Sequence, residues 1–192
     1  MDKNSKAKNN NSNSTEEEIK ILQWNIRGIQ SNFLELQVLV AEQQPQIICL
    51  QETKLNANKQ KDIKQYVNYS KAAEPSQTNS AGGITTYINN TITQSEIKIN
   101  QNLNIIVTKI TTNKTITICN MYLPPNTLTR TEEILKILND LPKPLILIGD
   151  FNGHSHLWGN KRTNLQGKCI EEIITQGDIH PINKAYWPHT FS

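Results

Sequence analysis

The sequence predicts an α/β sandwich with mixed sheets, on three observations. The short, wholly apolar runs Ile47-Ile48-Cys49-Leu50 and Leu145-Ile146-Leu147-Ile148 read as strands covered on both faces. Two strand-like segments, 105–111 and 115–121, are separated only by Thr112-Asn113-Lys114, the length of a tight hairpin. Three further segments repeat apolar residues at helical spacing. Strands that follow helices in places and form hairpins in others do not suit a regular βαβ winding, so the sheets are expected to be mixed.

Taken in order, residues 19–26 are the first expected strand, ended by Arg27-Gly28. Asn32 opens a helix with Glu35 as its capping-box partner, and Phe33, Leu36, Leu39 and Val40 share one face before Pro45. After the 47–50 strand, residues 53–79 are polar and irregular, with one helical turn expected near 62–67. Gly82-Gly83 introduces a strand at 84–88, and Pro124-Pro125 bars the hairpin from extending its pairing. Thr129 opens a second helix with Glu132 as capping-box partner; its apolar face is Ile134, Leu135, Leu138 and Leu141. A third helix begins near Thr163 or Asn164, shows Leu165, Ile170, Ile173 and Ile174, and meets Gly177 where a C-terminal cap belongs. Residues 179–182 read as one more strand, and no repeat of solenoid period is present.

A length of 192 residues suits one domain. The apolar fraction of 36% is low, and much of the deficit lies in residues 1–18, an Asn-, Ser- and Lys-rich stretch with nothing to bury. Such a stretch does not offset its ordering entropy and is expected to be a disordered tail, leaving 19–192 as the domain. The tail has no apolar run of a signal peptide, and Glu16-Glu17-Glu18 argues against a transit peptide. With no stretch long enough to span a bilayer, the expectation is a soluble, intracellular protein with no membrane partner. Net charge is +3, of which the tail contributes −1, so 19–192 carries about +4. That excess permits a polyanionic partner without requiring one. Cys49, Cys119 and Cys169 have no C-x-x-C spacing and are expected to be buried free thiols.

Chemistry concentrates where apolar strands end. Trp24 runs into Asn25, Leu50 into Gln51-Glu52-Thr53, Met121 into Tyr122, and Ile148 into Gly149-Asp150-Phe151-Asn152-Gly153-His154. A carboxylate at the end of a buried strand needs a partner, because desolvation disfavours an unpaired charge. Two such carboxylates with two amides on neighbouring strand ends suit a hard cation and a phosphate, and Mg²⁺ fits because it binds one or two carboxylates while keeping waters. Singly, each residue has a plainer reading: Glu52 paired with Lys54, Asp150 and Asn152 as turn residues, Asn25 as a strand-end cap, Tyr122 as a surface residue.

The order W-N-I-R-G at 24–28, Q-E-T at 51–53, N-M-Y-L-P-P at 120–125 and G-D-F-N at 149–152 resembles the endonuclease/exonuclease/phosphatase family. With G-D-F-N-x-H, L-W-G at 157–159 and T-N at 163–164, it is most similar to the apurinic-type endonuclease domains of non-LTR retrotransposons, from about Ile19 to Ser192. The resemblance implies a four-layer sandwich, two mixed sheets flanked by helices. It implies Glu52 as principal Mg²⁺ ligand (Mn²⁺ as a substitute) with Asn25 beside it, Tyr122 on the scissile phosphate, Asp150 activating the water, and Asn152 steadying the phosphate and Asp150. The implied activity is in-line phosphodiester hydrolysis of DNA. The implied partners are DNA and a reverse transcriptase domain in a longer polyprotein, and the place of action is the nucleus if the target is genomic DNA.

Two departures stand out. Arg27 occupies the place where some family members have an aspartate. The family also continues beyond the His-Thr-Phe-Ser stretch with a strand bearing an aspartate and a terminal Ser-Asp-His, none of which precedes Ser192. The resemblance therefore implies a fold incomplete at its C-terminus, prone to aggregate and feebly active. His154, His156, His180 and His189 do not match the terminal histidine and are expected to be surface or packing residues. The alternatives are a phosphatase of the same fold, for which the 157–164 stretch is the discriminating feature, and a non-catalytic nucleic-acid-binding remnant.

Overall fold

The computed structural model describes residues 18–55, 60–72, 82–100, 103–125 and 131–182. Its elements run β1 (Ile21–Asn25), α1 (Ile29–Gln43), β2 (Ile47–Gln51), β3 (Tyr66–Lys71), β4 (Ile84–Asn89), β5 (Thr93–Ile97), β6 (Asn104–Thr111), β7 (Thr115–Tyr122), α2 (Thr131–Asp140), β8 (Leu145–Asp150) and α3 (Leu165–Gln176). One sheet has the order β1-β2-β4-β3 and the other β5-β6-β7-β8. Each contains one parallel pair, β1 with β2 and β7 with β8, and is otherwise antiparallel, so both sheets are mixed.

Strand alternation sorts the side chains into layers. Ile48 and Leu50 of β2 pack with Ile29 and Leu36 of α1, whereas Ile47 and Cys49 face Ile110 and Ile118 of the other sheet. On the far side of that second sheet, Val107, Cys119 and Met121 meet Ile134, Leu138, Ile170 and Ile173 of α2 and α3. The layers are thus α1, sheet, sheet, α2 with α3, the expected four-layer sandwich. Among the described residues no helix is long and apolar enough to cross a membrane.

Several local expectations require correction. The first helix begins at Ile29, not Asn32, and Gly28 precedes it without a side-chain cap. Backbone carbonyls replace that cap: Gly28 N donates to Glu52 O at 2.8 Å and Ile29 N to Thr53 O at 3.0 Å. Asn32, one turn inside, instead donates its side chain to Ile26 O at 2.6 Å. The helical turn expected at 62–67 gives way to β3, and β5 forms where the sequence pattern shows no strand. Both are edge strands ordered by the free backbone groups of β4 and β6; β5 is largely polar, whereas β3 carries the strand-favouring Tyr66, Val67 and Tyr69 within a polar stretch. Residues 179–182 form no strand, and Ile182 is 83% exposed. Leu165, expected on the apolar face of the third helix, is exposed at its first position. β8 forms as expected but is only partly buried, and among the described strands it pairs with β7 alone.

The hairpin at 112–114, the α2 face and the α3 boundaries match expectation: Asn164 Oδ1 caps α3 by accepting from Gly167 N at 2.7 Å, and Gly177 ends it. The expected capping residue Thr129, most of the expected tail (residues 1–17) and His189 lie outside the described residues. All three cysteines are buried free thiols. Burial pushes the Cys49 and Cys119 thiols up to about 12, which keeps both neutral and unreactive.

Candidate active site

The faces that the two sheets turn towards each other are apolar at one end and polar at the other. Ile21 leads to Gln23 and Asn25 on β1, Ile47 and Cys49 to Gln51 on β2, Ile118 to Asn120 and Tyr122 on β7, and Ile146 and Ile148 to Asp150 on β8. The register aligns these ends, with Asn25 beside Gln51 in one sheet and Tyr122 beside Asp150 in the other. Gly149 makes the second alignment feasible: its φ is +156°, and a Cβ there would lie 1.8 Å from Met121 O.

Glu52 joins the cluster by leaving the strand. Strict alternation would carry it to the α1 side, but its φ is +51°, in the left-handed region that favours glycine. Its Oε1 accepts hydrogen bonds from Tyr122 OH at 2.8 Å and Asn25 Nδ2 at 3.1 Å. It therefore does not follow the plainer pairing with Lys54. The same Asn25 Nδ2 donates to Asp150 Oδ2 at 2.6 Å, so one amide bridges carboxylates from the two sheets. Asp150 Oδ1 accepts from the backbone N of Asn152 at 3.0 Å, while the Asn152 side chain donates to Leu123 O at 3.0 Å. Asn152 thus steadies Asp150 through its backbone, in a left-handed conformation at φ +46°. At Glu52 and Asn152 the left-handed backbone turns the chain into the cluster.

Burial raises the Tyr122 phenol above its ordinary range; the Glu52 hydrogen bond and the charges of Glu52 and Asp150 add to it. Tyr122 is therefore a neutral donor at physiological pH. Asn25, Glu52, Tyr122 and Asp150, singled out from the sequence, form one connected group with Asn152 attached. The described histidines, His154, His156 and His180, are exposed.

Two carboxylates held against one amide nitrogen suit a hard cation, because a neutral amide leaves their mutual repulsion uncompensated. Among the described residues no group of three or more His, Cys, Asp or Glu is placed to hold a metal. The carboxylate oxygens of Glu52 and Asp150 are the donor type that a hard cation such as Mg²⁺ takes.

Two parts of the site are not read from the sequence motifs. Gln51 and Asn120 lie inside those motifs, yet their contact with each other is a finding of the structure; both are fully buried and joined at 2.8 Å. The signal is available in the two-residue alternation that puts them on the inter-sheet faces. The other part is the loop after Asn152, which is internally braced. His154 N donates to Asn164 Oδ1 at 2.8 Å, Trp158 Nε1 to Gly153 O at 2.9 Å, and the buried Ser155 hydroxyl to Glu171. Asn164 Nδ2 ties this loop to Asn152 O at 2.8 Å.

The chain belongs to the endonuclease/exonuclease/phosphatase family, whose sequence model matches residues 22–192. Its curated relatives are retrotransposon polymerases. It is 28% identical over 166 residues to the RNA-directed DNA polymerase from mobile element jockey of Drosophila melanogaster, covering 85% of this chain and 18% of that protein. It is 25% identical over 167 residues to the probable RNA-directed DNA polymerase from transposon X-element of the same fly, covering 84% and 18%. The chain therefore spans less than a fifth of those relatives. Among solved structures, the endonuclease domain of TRAS1, a telomere-specific non-LTR retrotransposon, aligns with a TM-score of 0.69 at 21% identity, over 86% of this chain and 75% of that one. The AP endonuclease LMAP from Leishmania major aligns with a TM-score of 0.63 at 13% identity, over 83% and 66%. At these identities the two likenesses establish the fold.

Proposed function

We propose that this chain is the DNA-nicking endonuclease domain of a non-LTR retrotransposon, a Mg²⁺-dependent phosphodiester hydrolase that accepts Mn²⁺. The observation that carries the reading is the Asn25–Glu52–Tyr122–Asp150 cluster at the polar end of the inter-sheet cleft. Glu52 is the principal ligand for the cation, with Asn25 beside it. When bound, the cation supplies charge stabilisation to the phosphate oxygens and lowers the pKa of a water. Asp150, fixed by donors on both oxygens, orients the attacking water and accepts its proton. Tyr122, neutral and held beside the site by Glu52 Oε1 in the free protein, turns its one O–H from that carboxylate to a non-bridging phosphate oxygen when substrate binds. Asn152 holds Asp150 in place through its backbone N–H, and its side-chain amide steadies the phosphate.

DNA as the substrate draws support from the braced loop. From Phe151 through Ile170 the chain has no Asp or Glu, but carries Lys161, Arg162, Lys168 and two histidines. Lys161, Arg162, His154 and His156 are exposed, as expected of a surface that meets a polyanion. The match to less than a fifth of proteins named as RNA-directed DNA polymerases supports a place in a longer polyprotein with a reverse transcriptase domain. If the DNA it acts on is genomic, that polyprotein works in the nucleus.

A labelled DNA duplex and inositol phosphate monoesters, offered separately with Mg²⁺, test the reading. Strand cleavage of the duplex without phosphate release from the monoesters is expected. Phosphate release from the monoesters with the duplex left intact would identify a phosphatase instead.

A further inference from the structure

We infer that the buried Gln51–Asn120 amide pair is a positioning clamp that sets the spacing between Glu52 and Tyr122 across the two sheets; this rests on the reading of those two residues above. Asn120, on β7, reaches across the inter-sheet layer. Its Nδ2 lies 3.1 Å from Thr86 Oγ1, 3.2 Å from Thr85 O and 3.4 Å from Leu50 O, all on the opposite sheet. Gln51 Nε2 donates to Asn120 Oδ1 at 2.8 Å and to Cys49 O at 3.2 Å, and Gln51 Oε1 accepts from Gln23 Nε2 at 2.6 Å. Both side chains are 0% exposed and fully engaged.

Much of the rest of this layer is apolar, with Ile47, Cys49, Ile88, Ile110 and Ile118 in one cluster, and the buried Thr86 and Thr108 share its faces. An aliphatic pair would close it without the desolvation of two amides. Apolar contact is non-directional and leaves two sheets free to settle at slightly different offsets. Hydrogen bonds to specific backbone atoms remove that freedom. The freedom matters here because Glu52 and Tyr122 come from different sheets and meet at 2.8 Å. Gln51 directly precedes Glu52, and Asn120 lies two residues before Tyr122 on the same strand face. The clamp therefore acts within about 3–7 Å, one to two strand residues, of the pair it aligns.

The test compares Gln51→Met and Asn120→Ala with Leu138→Ala, a core truncation behind the second sheet, and with the reciprocal exchange of Gln51→Asn plus Asn120→Gln in one chain. Each is checked for folding by circular dichroism and thermal melting. The clamp variants are expected to lose roughly 10- to 100-fold in kcat at nearly constant KM, because misplacement of about 1 Å costs on that order. Leu138→Ala, though comparably destabilised, should keep its kcat, and the exchange should recover most of the loss. Crystal structures of the folded variants should show the Glu52–Tyr122 hydrogen bond lengthened or broken, a readout that holds whether or not the chain cleaves DNA. An intact Glu52–Tyr122 bond in a folded clamp variant would overturn the inference, as would a kcat loss matched by Leu138→Ala. Absence of cleavage by the unaltered chain would instead sink the functional reading and leave the structural readout to decide on the clamp.

Discussion

Asp150→Asn is expected to lower the single-turnover rate of duplex cleavage by roughly 10²–10⁴-fold, the range for loss of a positioned general base. DNA affinity should stay within a few-fold, because the change removes an interaction of the transition state and not of binding. The shape is preserved, and the backbone N of Asn152 still finds an acceptor at the Oδ1 position. The other oxygen is the one that accepts from Asn25 Nδ2. An amide there sets donor against donor, and Asn25 cannot turn its own oxygen over without presenting it to Glu52, to which it also donates. Proton acceptance and the bridge between carboxylates are therefore both lost. Removing one of two neighbouring negative charges should leave thermal stability unchanged or raise it, as is common at active sites. A normal single-turnover rate with a large loss of affinity would assign Asp150 to binding.

Glu52→Gln is expected to abolish the calorimetric Mg²⁺ signal while circular dichroism is retained. Glutamine keeps an oxygen for Tyr122 OH and Asn25 Nδ2, so the local fold has no reason to change. What disappears is the charge. With Asp150 then the one carboxylate in the cluster, Mg²⁺ affinity should fall by more than the 10- to 100-fold typical of removing a group that only supports a ligand. Cleavage should fall with it, and millimolar Mn²⁺ should recover little. Unchanged Mg²⁺ affinity would remove Glu52 from the metal site.

Much of this site is legible in the sequence because strand alternation and strand burial act on neighbouring residues. Apolar runs that stop at Asn25, Gln51, Tyr122 and Asp150 mark both the strands and the end at which polar groups emerge. Alternation alone misplaces Glu52, since its position depends on a left-handed backbone turn with no glycine to announce it. The start of α1 misleads for a related reason: a capping-box pattern at Asn32 is local, whereas the N–H groups of Gly28 and Ile29 are satisfied by carbonyls after β2. β3 and β5 escape a reading by pattern because an edge strand draws its order from a neighbour's backbone and need not be apolar. The Gln51–Asn120 contact joins residues 69 apart in sequence, and only the packing of one sheet on the other brings them together.

Incubation of the chain with supercoiled plasmid, in Mg²⁺ and in EDTA, tests the central claim most directly. The account predicts open-circular product in Mg²⁺ and none in EDTA. Salt-sensitive binding to the plasmid with no nicking at any Mg²⁺ or Mn²⁺ concentration would contradict it, and would make the cluster the relic of a catalytic site on a nucleic-acid-binding fold.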